Sequence, residues 1–539
     1  MIEQTKLYKR RWVALFFLAF SLLVIALDNT VLNLALPSIS KDLGATLNGL
    51  QWIVDAYTLV FAALLLTVGS IGDRYGRKKL LQGGLIVFGI FSLGAALSRS
   101  TGTLITMRAL MGIGGATIMP STLSIITATF RDSKERAQAI AIWAATFSLG
   151  MGIGPLVGGW LLTHFEWSSV FYINLPVVVI AVIGGLFFIQ NSQAEHPRRI
   201  DVPGCILSMA GLFALVYGII QAGIDGWTAH NVLIAFAAAL VILTAFALWE
   251  RHSTHPMLPL RFFKNMSFTG ANIALTMVAF AMFGSFFFMS QYLQTVHGYS
   301  PLQAGVRLLP MAFAAFFGAI TSASIAQKIG TKLVVALGIL IAAGGLFYFY
   351  KIAAVNTNYL NIAIGMAITS LGMGITMSPA TNSIMGSVPV DEAGVGSAMN
   401  DTNRQIGGAL GVAILGTLLN SSYAAHIDKI VWPVPLPAQA AAAIRGGIQG
   451  AHIAAANLQA QSPALAQVIV KKADEAFTHG MAYTLLIASI IMAVASALVL
   501  IIVPTRVRPY SEPIKTSTPS SGKSRTDPPL PGSNSGDNG

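Results

Sequence analysis

Two carboxylates lie inside apolar runs. Asp28 falls within the run 12–36 and Asp55 within the run 50–72. Ionised side chains at bilayer depth are costly, and they mark ion paths, proton relays or pairs facing a protein interior. Arg108 sits near the start of the run 103–129. Burial favours the neutral form of a carboxylic acid and a neighbouring guanidinium favours the charged form. A motion that alters the distance between them would load and release a proton. The plain alternative is a static ion pair that pins helices together. Asp28 lies roughly 24 Å along its helix in a ~30 Å core, and Asp55 and Arg108 fall near the same surface. These three residues are therefore expected in one vestibule. Asp401 and Arg404 are three apart and share a helical face. They read first as a structural pair, and second as a further proton or cation site.

The elements that must position these groups are membrane spans. The chain of 539 residues is 54% hydrophobic and 10% charged, against roughly 25% charged in a soluble domain. Fourteen apolar stretches reach the length of a span: 12–36, 50–72, 80–98, 103–129, 137–162, 171–190, 202–222, 231–250, 267–291, 302–326, 333–352, 358–384, 397–423 and 480–504. They are too long and too little alternating for a β-barrel. The fold class is all-α and polytopic. The first run is too long for a signal peptide and has no small-residue cleavage site, so it is expected to be a retained helix.

Charge sets the orientation. Lys6, Lys9, Arg10, Arg11, Arg74, Arg77, Lys78, Lys79, Arg131, Lys134, Arg136, Arg198, Arg199, Arg251, Arg261, Lys264, Lys328 and Lys332 all fall on one side, with more in the C-terminal tail. The other side's short loops hold Lys41, Arg99 and Lys351. Basic loops face the cytoplasm, so both termini are expected inside a cell membrane. The same asymmetry accounts for the net charge of +12 without nucleic acid.

An internal repeat organises the chain. Ser70-Ile71-Gly72-Asp73-Arg74-Tyr75-Gly76-Arg77-Lys78 echoes Ser324-Ile325-Ala326-Gln327-Lys328-Ile329-Gly330-Thr331-Lys332. Gly150, Gly154 and Gly159 fall on Gly407, Gly411 and Gly416, and Glu135 falls on Glu392. In the same register Asp28 falls near Ser285 and Asp55 near Ala312, so the second repeat has no matching acids. The expected division is a cytoplasmic N-terminus (1–11), a six-helix bundle (12–190), inserted helices 7 and 8 (191–266), a second six-helix bundle (267–504) and a disordered tail (505–539). Within the second bundle, 424–479 is expected as an outer loop holding two short helices. A duplicated six-helix unit is a transporter signature, with substrate bound between the repeats near mid-membrane.

The loop Gly69–Lys79 is a gate candidate, with Gly69, Asp73, Arg74, Gly76 and Arg77 as its working residues. Asp73 could face a helix N-terminus or pair with Arg131 or Arg136. Gly150, Gly154, Gly158 and Gly159 allow close helix approach, and Pro155 permits a bend. A hinge and plain helix packing both fit that pattern. Trp52, Tyr57, Trp143, Phe147, Phe283, Phe287, Met289 and Tyr292 could line a greasy pocket, since aromatic faces attract cations and methionine adapts to shape.

These residues resemble the 14-helix drug:proton antiporter branch of the major facilitator superfamily. The resemblance rests on Leu27-Asp28-Asn29-Thr30-Val31-Leu32-Asn33-Leu34-Ala35-Leu36-Pro37, on Gly69–Lys79, on Arg108 with Gly112, Gly114 and Gly115, and on Gly150 to Gly159. The glycine–proline set in the fifth run is typical of exporters in that family. Gln51-Trp52-Ile53-Val54-Asp55-Ala56-Tyr57 is similar to members that export quaternary ammonium antiseptics and dyes. The resemblance implies proton-driven antiport of lipophilic cations by a monomer, with a proton gradient as energy source and no bound cofactor. Export of an endogenous metabolite or lipid-like molecule by the same machinery is the second reading. A membrane receptor or assembly subunit is a reading from another class. The single cysteine, Cys205, and the scattered histidines give no metal site, no ATP-binding P-loop occurs, and no catalytic constellation argues for an enzyme.

Overall fold

Apolar runs of this length leave the backbone one economical solution in lipid, which is to satisfy its own hydrogen bonds as helix. The computed structural model describes residues 10–45, 47–194, 200–430, 432 and 436–504. Lys6, Lys9, Arg198, Arg199, Pro433, Pro435 and the tail from 505 onward lie outside them. The helices are α1 (Arg11–Leu43), α2 (Leu47–Tyr75), α3 (Arg77–Ala96), α4 (Thr101–Thr129), α5 (Ser133–His164), α6 (Asn174–Phe188, after a single turn at Ser169–Tyr172), α7 (Val202–Asp225) and α8 (His230–His252). Then come α9 (Met266–Gln291), α10 (Pro301–Ile329), α11 (Thr331–Ile352), α12 (Tyr359–Gly386), α13 (Ala393–Ile427), α14 (Ala438–Gly446), α15 (Ile448–Leu458) and α16 (Pro463–Ile502). Among the described residues 14 helices are long and apolar enough to cross a membrane, namely α1–α13 and α16.

Polar residues start several of them. Asp132 accepts from the N–H groups of Lys134 and Glu135 at the head of α5. Ser300 and Gln303 form a capping box at the head of α10.

The repeat is visible in the coordinates. Gly76 (φ 109°) links α2 to α3, and Gly330 (φ 91°) links α10 to α11. L side chains rarely adopt that backbone region, so both copies of the loop keep glycine there. Arg11 at the start of α1 pairs with Glu135 of α5 at 2.6 Å. Arg261, just before α9, pairs with Glu392 at the start of α13 at 3.5 Å. The same clamp is thus made in each six-helix bundle, α1–α6 and α9–α13 with α16.

The two bundles meet along two seams. In the first, α5 runs beside α10: Ala137 and Ala141 cluster with Ala323, Gly152 abuts Ala312 and Gly159 abuts Leu302. In the second, α2 approaches α13 at the end of the molecule that carries Arg74 and Arg77, where Gly69 and Gly394 lie backbone to backbone. The inserted α7 packs on this second seam. Val216 touches Leu59 and Ala62 of α2, while the Trp227 indole N–H donates to Thr417 of α13 at 3.3 Å.

One boundary differs from the sequence expectation. The segment 424–479 is not all loop, because α16 begins at Pro463. Lys471, Lys472, Asp474 and Glu475 lower the hydropathy there, but a helix outside lipid needs only one apolar face. Leu465, Ala466, Ile469, Ala473 and Phe477 supply it. Asp474 accepts from His452 of α15 at 2.8 Å. The connection shrinks to 428–462, within which α14 and α15 pack against each other. The Tyr423 hydroxyl donates to the Ile444 carbonyl at 2.9 Å and ties α14 to α13.

A side chain at Gly305 would stand 2.8 Å from the Pro155 carbonyl carbon, whereas one at Gly344 meets open space. Gly305→Leu should therefore cost about 1–3 kcal/mol by overpacking and lower Tm in detergent. Gly344→Ala should leave Tm unchanged or raise it. Equal Tm values for the two variants would contradict this α5–α10 packing.

Candidate functional site

Asp28 of α1 and Arg108 of α4 form a buried ion pair. Nη1 of Arg108 is 2.6 Å from Oδ2 of Asp28, and both side chains are 2% exposed. The Asn174 amide at the start of α6 donates to the other carboxylate oxygen at 3.2 Å and to Ser92 of α3 at 3.1 Å. Ser92 in turn donates to the Phe171 carbonyl. The Arg108 guanidinium also donates through Nε to the Ile53 carbonyl of α2 and lies 4.5 Å from the centre of the Tyr57 ring. Five helices, α1–α4 and α6, therefore contribute to one network, in which Arg108 and Asn174 touch the carboxylate itself.

Asp55 is not in this network. It is half-buried on α2, and no hydrogen bond or ion pair to it occurs among the described residues. The expectation of three groups in one vestibule thus resolves into one tight pair and a separate acid. Asn174 and Ser92 were not singled out from sequence. The available signal was a lone asparagine within an otherwise apolar run.

At the opposite end of α2 the gate loop reaches across to the second bundle. Both carboxylate oxygens of Asp73 accept from the Gly394 N–H at 2.9 Å, and one accepts from Val395 N–H at 3.3 Å. An acid here neutralises the positive end of the α13 dipole. Arg77 holds Asp73 at 2.7 Å and donates to the Val390 carbonyl at 2.6 Å. Of the two placements open from sequence, Asp73 takes the helix N-terminus. Arg74 lies beside the ring of Tyr75, 5.5 Å from its centre. Gly76 is buried against Asn191, and the 191–194 strand of chain is stitched to the loop by Arg77 N–H to Ser192 and Ala194 N–H to Asp73.

Asp401 and Arg404 are buried on α13, with Nη1 of Arg404 3.9 Å from Asp401. Asn400 donates to Asp401 at 3.1 Å. Arg404 reaches across to the first bundle, lying 3.9 Å from the ring centre of Phe147 and 5.8 Å from that of Trp143, both on α5. The neighbouring Asn403 donates to Asn272 of α9.

The glycines of α5 serve two faces. Gly150, Gly154 and Gly158 bring α5 against Ala26, Thr30 and Val31 of α1, flanking Asp28. Gly159 faces α10, and α5 runs through Pro155 without interruption. The aromatic candidates disperse. Tyr57, Trp143 and Phe147 are engaged with the two arginines, Tyr292 donates to the Ala354 carbonyl, and Trp52 packs on Tyr217 of α7. Phe283 lies against Gly408, and Phe287 is exposed on the outside of the bundle. Two cavities inside the molecule are lined by none of these aromatics, and of the earlier candidates only Met289 borders one of them.

Residues 18–412 match the Major Facilitator Superfamily. The chain belongs to that superfamily. Its members are membrane carriers, and its drug exporters use ion gradients rather than bound cofactors, so this chain is a transporter and not an enzyme. The multidrug efflux pump LfrA of Mycolicibacterium smegmatis is 36% identical over 495 residues, covering 92% of this chain and 97% of the pump. The tetracenomycin C resistance and export protein of Streptomyces glaucescens is 32% identical over 529 residues, covering 95% and 96%. The methyl viologen resistance protein SmvA of Salmonella typhimurium is 32% identical over 479 residues, covering 88% and 94%. Among solved structures, the human organic anion transporter MFSD10 superimposes with a TM-score of 0.56 over 90% of this chain and 99% of that one. At 12% identity this is a likeness of fold alone.

Asp73→Ala removes the acceptor for two helix N–H groups and leaves Arg77 without its carboxylate. It should cut transport by about tenfold or more at equal expression, and make cysteines placed at the head of α13 accessible to membrane-impermeant thiol reagents. Asp73→Asn, which keeps an acceptor oxygen, should fall between. Wild-type transport by Asp73→Ala would remove the loop from the machinery.

Proposed function

We propose that the chain is a proton-coupled exporter of lipophilic, cationic compounds that works by alternating access, with its basic end in the cytoplasm. The observation that carries this reading is the Asp28–Arg108 pair, sealed inside the first bundle with Asn174 completing the shell. A proton on Asp28 cancels its attraction for Arg108. A guest cation near Asp28 competes with Arg108 for the same carboxylate. Proton and guest then oppose each other at one acid, and reciprocal linkage makes that opposition antiport.

Asp73 on the head of α13 joins the bundles at the basic end. The α5–α10 seam is closed through Gly159 and Leu302 at the other end. Contacts at both ends fit a carrier paused between its two open forms. Opening the cytoplasmic side requires Asp73 to leave α13 and Ala137 and Ala141 to part from Ala323, and opening the outer side requires Gly159 to part from Leu302. Two bundles joined by backbone contacts at glycine can separate without exposing large side chains to one another. A membrane potential of 100 mV adds about 2.3 kcal/mol per charge moved, enough to bias such a cycle. The names of two relatives, a multidrug efflux pump and a methyl viologen resistance protein, support export of toxic compounds, while the tetracenomycin C resistance and export protein fits the second reading, export of a metabolite. Asp55, half-buried and unpaired near the outer end of α2, is assigned to attracting the cation or passing the proton.

The test is ΔpH-driven ethidium transport in inverted vesicles. Asp28→Asn should abolish the pH-driven component, with a loss of about tenfold or more. Asp55→Asn should reduce it less, with the larger effect on KM. Full pH-driven transport by Asp28→Asn would overturn the mechanism.

A further inference from the structure

The repeat sets Met282–Ser285 and Leu309–Ala312 of the second bundle against the stretches that hold Asp28 and Asp55 in the first. In the second bundle those places are not filled by an ion pair. Each lines a cavity instead. Ala312 borders a space of about 40 Å³ between α5, α9, α10 and α12, and Ser285 borders one of about 20 Å³ enclosed by α9–α12 and α16.

The two cavities share a wall made by Met311 of α10 and Ser370 of α12. Besides Met311, methionine is the commonest residue in both linings, with Met151, Met282, Met373 and Met377 in the first and Met289, Met366 and Met481 in the second. No charged side chain lines either one. Ser285 is 9% exposed, and its hydroxyl, on the wall of the inner cavity, has no hydrogen-bond partner among the described residues. A buried hydroxyl left unmet is unfavourable, and a guest that bonds to it relieves that cost.

We propose that Met311 is a movable partition, and that the two cavities join into one subsite for the uncharged, ring-bearing body of the exported compound, with Ser285 supplying a hydrogen bond. An unbranched thioether with three rotatable bonds can swing aside, and methionine sulfur makes favourable contacts with aromatic rings. Each cavity alone has room for little more than water, so a guest enters only when Met311 and its neighbours yield. The repeat pair has thus diverged in chemistry. The first bundle handles charge at Asp28, and the second reads shape and one polar group. This inference rests on the exporter reading above and adds where the apolar part of the substrate is held.

The experiment uses the full chain in proteoliposomes, with ethidium as the probe. Wild type, Met311→Trp, Met311→Ile and Ser285→Ala are compared for KM, kcat and the pH profile of ΔpH-driven transport. Filling the partition with indole should raise the ethidium KM about tenfold or more. Met311→Ile, close in volume but stiff at its branched carbon, should also raise KM, and it keeps the test available if the larger side chain prevents folding. Ser285→Ala should raise KM severalfold. In all three the pH profile should stay as in wild type, because the titrating acid is elsewhere. Unchanged KM in folded Met311→Trp or in Met311→Ile would overturn the subsite, as would a shifted pH profile. Failure of wild type to move ethidium or any other lipophilic cation would instead sink the exporter reading itself.

Discussion

A charge taken out of water needs a counter-charge and a filled hydrogen-bond shell, or it does not remain a charge. Asp28 has both, and much of the first bundle follows from supplying them. Arg108 of α4 brings the guanidinium, Asn174 of α6 brings an amide, and Ser92 of α3 holds that amide in place. Tyr57 and the Ile53 carbonyl of α2 occupy the remaining faces of Arg108. Removing one partner of such a pair strands the other, which is why buried pairs are costly to break. A transporter can exploit that cost, because whatever neutralises the acid changes which helices belong together.

Close approach is the second constraint. The glycines of α5 are divided between α1 on one side and α10 on the other, so one helix touches both the segment that carries the acid and the seam between bundles. At the basic end, Gly69 and Gly394 let α2 touch α13, and two polar ties reinforce that contact, Asp73 to the Gly394 and Val395 N–H groups and Arg77 to the Val390 carbonyl. Arg404 makes a different kind of tie. It belongs to α13 yet rests on Phe147 and Trp143 of α5, giving the bundles a cation–π contact deep in the interior. The polar groups that join the bundles are few and directional, and the rest of the contact is small residues against small residues.

Much of this was legible in the chain of letters. Long apolar runs report which segments face lipid, and the placement of Glu135 opposite Glu392 and of Gly76 opposite Gly330 reports the duplication. Both pairs recur in space with matching partners or matching backbone. The partners of a buried group are another matter. Asn174 reaches Asp28 from a helix far along the chain, and Gly394 becomes the landing site of Asp73 only through tertiary packing. Hydropathy also misplaced the start of α16, since it measures affinity for lipid rather than for a neighbouring helix. Most of the aromatic residues singled out for a pocket pack on arginine or on other helices, and the two cavities are lined by methionines together with other aromatics, Phe286, Phe288 and Phe349. No local pattern distinguishes an aromatic ring beside a guanidinium from one beside a void.

The inserted pair α7–α8 lies against only one of the two seams. Val216 rests on α2, while Trp227 and Gly223 rest on α13. Lipid therefore does not see the two sides of the molecule alike. On the α5–α10 side a bilayer-dissolved molecule would meet the junction directly. On the α2–α13 side it would first meet a helical screen. A cargo that partitions into the membrane would accordingly have a preferred flank of entry, and the extra helices of this chain would act as a shutter over the other one.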